Sequence, residues 1–266
     1  MCAQRQTVHL ALLGGGMFGG DVVLRTIEDV ERCGLAPYLG RVGLDHLARD
    51  TQEARFRLVA IGTRTAETAK RLAAAYRERL PGASPTPYWG ERPWEEMFAA
   101  RPAPEILFIA TPDHLHAAPA LHALERGAHL MVEKPLALTL VEADGIARRA
   151  RERGLVAGVD MHKRYDPCHR FIFEELVPRI GTPLYARAVL EEPLEVSTST
   201  FKWAARSNPF SYVGVHWVDL FGHALGIRPA SLHAVGQQEL LRRWDRDPRA
   251  PAGAQPIDAF DALQVA

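Results

Sequence analysis

The sequence predicts a doubly wound α/β domain with a parallel sheet, followed by a domain of the α+β class. Three observations lead there. Short apolar runs alternate with amphipathic helical stretches up to about residue 160. A glycine-rich turn stands between the first strand and the first helix, and the rhythm changes from Met161 onward. The expected division is residues 1–160 for the parallel-sheet domain and 161–266 for a second, incomplete one.

Taken in order, Thr7–Leu13 is an apolar strand ending in Gly14-Gly15-Gly16-Met17-Phe18-Gly19-Gly20. Asp21–Glu31 follows as a helix whose apolar face is Val22, Val23, Ile27 and Val30. Phe56–Ile61 is the second strand and Ala66–Arg79 a strong helix. Ile106–Ala110 is a third strand, closed by Thr111-Pro112, and Pro119–Arg126 is a helix that stops at Gly127. His129–Val132, Leu140–Arg153 and Leu155–Val159 continue as strand, helix and strand. In the second part, Leu184–Glu191, Ser231–Gln238 and Ala259–Val265 are strand candidates and Val213–Leu225 an apolar helix. Ser197–Thr200 and Asp245–Pro256 are expected loops. Arg32–Arg55 reads as an insertion with no legible role.

The 266 residues carry 32 basic and 32 acidic side chains, so the formal net charge is zero. That balance lacks the basic footprint of a nucleic-acid or anionic-membrane binder. With 47% hydrophobic and 24% charged residues, the chain falls among folded globular proteins rather than disordered ones. No apolar run approaches the roughly 18 residues of a membrane span. Met1–Gln6 leads into a strand without a secretory pattern. Cys2, Cys33 and Cys168 are odd in number and far apart, so neither a disulfide framework nor a metal site is expected. A reducing cytoplasm fits them best.

Gly14-x-Gly16-x-x-Gly19 follows a strand and opens a helix, the context that a dinucleotide-binding turn requires. The first glycine allows the tight turn, the second lets backbone approach a pyrophosphate, and the third lets helix and strand pack closely. Met17 and Phe18 lie within this turn, where free N–H groups and the helix dipole favour phosphate. The second strand runs out through Thr63, Arg64 and Thr65, with no acid before Glu67. An acid there would hold the ribose 2′-hydroxyl of NAD; Arg64 and the two hydroxyls instead fit the 2′-phosphate of NADP. NADP is therefore the favoured cofactor and NAD the alternative. The competing reading makes Thr65 a helix cap and Arg64 a solvated loop residue.

Ligands of open α/β sheets lie outside the carboxyl ends of the strands. Thr111, Pro112 and His116 occupy that edge after the third apolar strand, and Glu133-Lys134-Pro135 after the next. Only four of the 32 basic residues are lysine (Lys70, Lys134, Lys163, Lys202). A lysine kept in so arginine-rich a chain marks a place where a compact, titratable ammonium matters. Pro135 pushes the Lys134 backbone away from helix, aiming the ammonium at the crevice, and a cis bond there is one option.

These segments, together with Ala110-Thr111-Pro112-Asp113-His114-Leu115-His116 and Gly214-Val215-His216-Trp217-Val218-Asp219, resemble the Gfo/Idh/MocA oxidoreductases. The resemblance covers nearly the whole chain in the same order. It implies an N-terminal Rossmann domain and a C-terminal domain with an open, mainly antiparallel sheet, commonly used for homo-oligomerisation. It also implies NAD(P)-dependent oxidation or reduction of a secondary hydroxyl on a sugar, polyol or sugar derivative. Lys134 corresponds to the lysine of the family's Glu-Lys-Pro motif, near nicotinamide and substrate. His216 corresponds to the histidine assigned to proton transfer. The acid usually found four residues before that histidine is Tyr212 here. Tyr212 is then either a hydrogen-bonding or proton-relay group or a packing residue, and Asp219 either a substitute carboxylate or a local polar contact.

The expected substrate pocket lies between the domains, walled by Lys134, Lys163, Arg164, Tyr165, Trp203, Asn208, Tyr212 and His216. A Trp face with hydroxyl-seeking groups suits a sugar ring or nucleotide-sugar, and Lys163-Arg164 suits a carboxylate or phosphate; the competing reading makes Tyr165 and Trp203 interface core. In the oxidative direction His216 would accept the hydroxyl proton while Lys134 stabilises the developing oxyanion. Two other functions fit the same sequence: a catalytically silent NADP-binding sensor, and a cofactor-dependent glycosidase of the same family. Relatives run longer, so either the chain is partial or its C-terminal sheet is reduced.

Overall fold

The computed structural model of the chain describes residues 7–266, apart from the side chain of Asp50. Cys2 and the Met1–Gln6 stretch lie outside the described residues. Two compact units divide at Asp160/Met161.

The first unit carries β1 (Thr7–Leu13), α1 (Leu24–Cys33), β2 (Arg55–Thr63), α2 (Ala66–Arg79), β3 (Thr86–Trp89) and α3 (Pro93–Ala99). It continues with β4 (Ile106–Ile109), α4 (Ala117–Glu125), β5 (His129–Glu133), α5 (Leu140–Glu152) and β6 (Ala157–Asp160). The six strands form one sheet in the order β3-β2-β1-β4-β5-β6, and every ladder is parallel. The order reverses between β1 and β4, which makes the exits of those two strands the topological switch point.

The strands are apolar on both faces because helices cover both. On one face Leu10, Leu12, Leu58 and Ile61 pack with Leu24 and Ile27 of α1 and Leu72 and Tyr76 of α2. On the other, Leu13, Leu107, Ile109 and Val132 pack with Met97 of α3, Leu124 of α4 and Ile146 of α5. Acids on the buried face of α1 are paired. Glu28 accepts from Arg79 at 2.6 Å and Arg32 at 2.7 Å, while Glu31 accepts from the Tyr76 hydroxyl and the Leu58 amide. The Arg32–Arg55 insertion is a chain of short helical turns: Ala36–Leu39, Gly40–Val42, Asp45–Leu47 and Ala48–Thr51.

The second unit holds helical segments Pro167–Arg170, Phe171–Leu176 and Val177–Ile180 head to tail, helix α6 (Val215–Leu225), and the antiparallel pair β7 (Ala234–Gln237) and β8 (Ala262–Val265). The open antiparallel sheet is thus a two-strand ladder. Leu184–Glu191 corrects the sequence reading: it forms no strand. Leu184 is 97% exposed and Tyr185 83%, and an apolar run without a neighbouring strand has no ladder to join. Ser197–Thr200 is likewise no open loop but part of the helical turn Val196–Thr200, where the Thr198 and Ser199 hydroxyls donate to the carbonyls of Leu194 and Glu195. None of the described helices is long and apolar enough to cross a membrane.

Candidate active site

The glycine turn owes its shape to contacts that no side chain could share. Gly14 has φ +112°, and its amide donates to the Gly62 carbonyl at 2.9 Å, tying the exit of β1 to that of β2. A Cβ at Gly14 would collide with the Ala110 carbonyl, and one at Gly19 would sit 2.7 Å from the Gly14 oxygen. Gly16 is the opposite case, with nothing within 4 Å of where its Cβ would be. Two glycines therefore serve packing, and the middle one leaves open backbone at the switch point. Met17 is exposed there, while Phe18 packs against the core behind the turn. At the exit of β4 the Thr111 hydroxyl is buried with no hydrogen-bond partner among the described residues. Open backbone above Gly16 and an unsatisfied hydroxyl nearby in the fold fit a dinucleotide.

At the end of β2 the Thr63 hydroxyl donates to the Thr65 carbonyl at 2.8 Å. Thr65 caps α2, accepting from the Thr68 amide and donating to the Thr68 hydroxyl. Both hydroxyls have local structural partners, whereas the Arg64 side chain is exposed.

Beyond β4, Pro112 accepts from the Leu115 amide and the buried Asp113 accepts from the His114 amide, winding the chain into α4. His116 directs both ring nitrogens at backbone carbonyls, those of Pro135 and Thr111. At the end of β5 the Lys134–Pro135 bond is cis. Glu133, just before it, is buried opposite Asp160 across the β5–β6 ladder. Burial and the hydrogen bond to Asp160 push its carboxyl up to about 9, against the pull of the Lys134 ammonium. Of two hydrogen-bonded carboxyls one holds the proton between them, and Glu133 keeps it at neutral pH. Asp160 is a residue that sequence reasoning missed; its one signal is an acid at the carboxyl end of a strand.

In the second unit His216 lies in the first turn of α6 and is 5% exposed. Its ring meets that of His162 edge-on, with centroids 4.8 Å apart. His162 is also absent from the sequence expectations. Arg164 grips Asp219 with two hydrogen bonds, 2.8 Å from Nε and 2.5 Å from a terminal nitrogen. That bond raises the guanidinium pKa further. Asp219 is therefore a partner of Arg164, and Arg164 is less available to a ligand than its neighbour Lys163.

Trp203 stacks on Phe201 with centroids 4.7 Å apart, and Tyr212 meets Phe201 edge-on at 4.8 Å. The Asn208 side chain accepts from the Ser211 amide and donates to the Ser211 hydroxyl, capping the turn that carries Tyr212. Tyr165 is exposed. Within the second unit Tyr212 thus falls with Trp203 and the turn of Asn208, His216 with His162, and Arg164 with Asp219, while Tyr165 joins none of these clusters.

Residues 32–161 match a family model described as an oxidoreductase family with an NAD-binding Rossmann fold. The chain is 26% identical over 231 residues to 4-carboxy-2-hydroxymuconate-6-semialdehyde dehydrogenase of Sphingobium sp., covering 82% of this chain and 59% of that protein. It is 25% identical over 150 residues to scyllo-inositol 2-dehydrogenase (NAD(+)) of Bacillus subtilis, covering 56% and 43%. Among solved structures, levoglucosan dehydrogenase in complex with NADH and levoglucosan superposes with TM-score 0.68 at 20% identity, over 98% of this chain and 63% of that one. The chain spans about three-fifths of the length of the first and last of these relatives.

Proposed function

We propose, from the Gfo/Idh/MocA oxidoreductase model matched over residues 32–161, a hydride transfer between a nicotinamide dinucleotide and a secondary hydroxyl or ketone of a sugar, polyol or sugar derivative. The observation that carries this reading is the open backbone of Gly16 at the same carboxyl edge of one sheet as Lys134. Gly14, Gly16, Met17, Phe18 and Gly19 would hold the pyrophosphate, with Thr111, Pro112 and Glu133 beside the nicotinamide. When bound, the nicotinamide supplies the hydride acceptor or donor.

The rest of the step falls to the protein's own groups. Lys134 donates to the substrate oxygen and stabilises the negative charge that develops there. His216 accepts the hydroxyl proton during oxidation and returns it during reduction. Tyr212, with its ring fixed by Phe201, hydrogen-bonds the substrate, and Lys163, Tyr165, Trp203 and Asn208 complete the walls. NADP is the favoured dinucleotide, because no carboxylate stands between Gly62 and Glu67 and Arg64 is exposed; NAD is the alternative. The same reading divides labour at residues 160/161, places the protein in the cytoplasm, and assigns self-association to the C-terminal strand pair, where Leu232 and Val235 are exposed. Sedimentation as a monomer would remove that last element.

The test is hydride transfer across a panel of sugars and polyols with NADP and NAD in parallel. Turnover with tighter binding of NADP supports the whole reading. Dinucleotide binding with no turnover on any member points instead to a sensor. Release of a leaving sugar without net dinucleotide consumption points to a glycosidase.

A further inference from the structure

His116 stands where the chain leaving β4 enters α4, and its ring is 1% exposed. Nδ1 lies 2.7 Å from the Pro135 carbonyl oxygen and Nε2 2.9 Å from that of Thr111. Those carbonyls belong to the exits of β4 and β5, which are neighbours in the sheet. The Pro135 carbonyl follows directly on Lys134, so whatever holds it also holds the peptide that presents the lysine. The sequence places His116 among the dinucleotide contacts. With both nitrogens facing backbone, the ring has no donor left for a ligand.

A neutral imidazole donates through one nitrogen only. Burial pushes this ring's pKa down, outweighing the two carbonyls and Asp113, which push it up; Lys134 adds to the downward push. One contact is therefore the donor bond, and the shorter one, to Pro135, has the better claim. We propose that His116 is a positioning residue: its Nδ1–H donates to the Pro135 carbonyl and thereby sets Lys134 for the reaction. The inference rests on the hydride-transfer reading given above for Lys134.

Asparagine carries its amide nitrogen at about the place of Nδ1, and glutamine at about the place of Nε2. His116→Gln places a donor at Thr111 and leaves Pro135 without one; His116→Asn places its donor at Pro135 and leaves Thr111 without one, as in the wild type. A misplacement of about 1 Å in a reacting group lowers rate by roughly 100-fold. The expected result is a kcat about 100-fold down in H116Q, a kcat at least about tenfold higher in H116N than in H116Q, and NADP Kd within about threefold of wild type in both. Equal losses of kcat in the two variants, or a Kd that worsens in step with kcat, would overturn the proposal.

Should the wild type turn nothing over, the hydride-transfer reading fails, but the bond itself remains readable. In ¹⁵N spectra of histidine-labelled protein, the signals lost in H116N identify the ring. A protonated Nδ1 and bare Nε2 are expected; the reverse tautomer overturns the proposal.

Discussion

Glu133 holds a proton that an ordinary carboxyl would have lost. Its ordinary value is 4.5, and burial together with the Asp160 bond raises it to about 9 in the folded chain. Between those limits the folded state binds a proton that the unfolded state has released, so this group's contribution to stability is fully present below about pH 4.5. It is lost progressively as pH rises towards 9. Glu133→Gln replaces the protonated acid by an uncharged amide of the same shape and removes that dependence. The variant's Tm relative to wild type should therefore be higher at about pH 9 than at about pH 5, read from thermal melts at both. An equal difference at both would contradict the shared proton. The Glu133-Lys134-Pro135 segment was legible in the sequence as a sheet-edge motif. Its partner was not, because Asp160 reaches it only through the parallel pairing of β5 and β6. Arg164–Asp219 and His162–His216 were hidden for the same reason: the groups are remote in sequence and meet only after folding.

At the scale of the element, the turn Gly14–Gly19 was readable because each glycine answers a local demand. The two ends are separable by experiment. Gly14→Ala forces a Cβ onto the Ala110 carbonyl at φ +112° and should destabilise the first unit by about 2 kcal/mol or more. Gly16→Ala meets nothing within 4 Å and should leave stability within about 0.5 kcal/mol. It should nonetheless weaken NADP binding, because its methyl stands where backbone must approach the pyrophosphate. Denaturant unfolding and dinucleotide titration of the two variants check this; Gly16→Ala binding as well as wild type would detach the turn from the cofactor. Helix α2 matched its expected limits because Thr65 caps it and its apolar face repeats regularly. Strand β3 was not foreseen, being four residues with Pro87 inside, and β-propensity reads such a segment as a turn. Leu184–Glu191 misled in the other direction, since apolarity predicts a strand but only a neighbour makes one.

At the scale of the molecule the two units differ in how much they bury. Nearly all the fully buried large side chains belong to the first, from Leu12 and Leu13 through Tyr76 to Ile146. The second buries Leu220, Leu241, Trp244 and Ala259 and leaves Phe171, Ile180, Leu184 and Tyr185 exposed. Opening free energy follows local burial, so hydrogen exchange should be slowest in β1, β4 and β5 and fast from Gly181 to Glu192. Limited proteolysis should make its first cut in that same stretch, which offers Tyr185 and Arg187 to the protease. A first cut within the first unit's sheet would contradict the burial argument. Alternation of strands and helices was enough to give the first unit's architecture. The second unit buries few apolar side chains, so little of its sequence is held to a strand or helix period; its class was legible and its strand limits were not.

In the proposed mechanism Lys134 acts on the reacting oxygen rather than holding the dinucleotide. The most direct measurement is NADP affinity and turnover on the sugar and polyol panel for wild type and Lys134→Ala. Turnover in the variant should be lower by roughly 100-fold or more, with affinity little changed. Turnover at the wild-type rate in Lys134→Ala would contradict it.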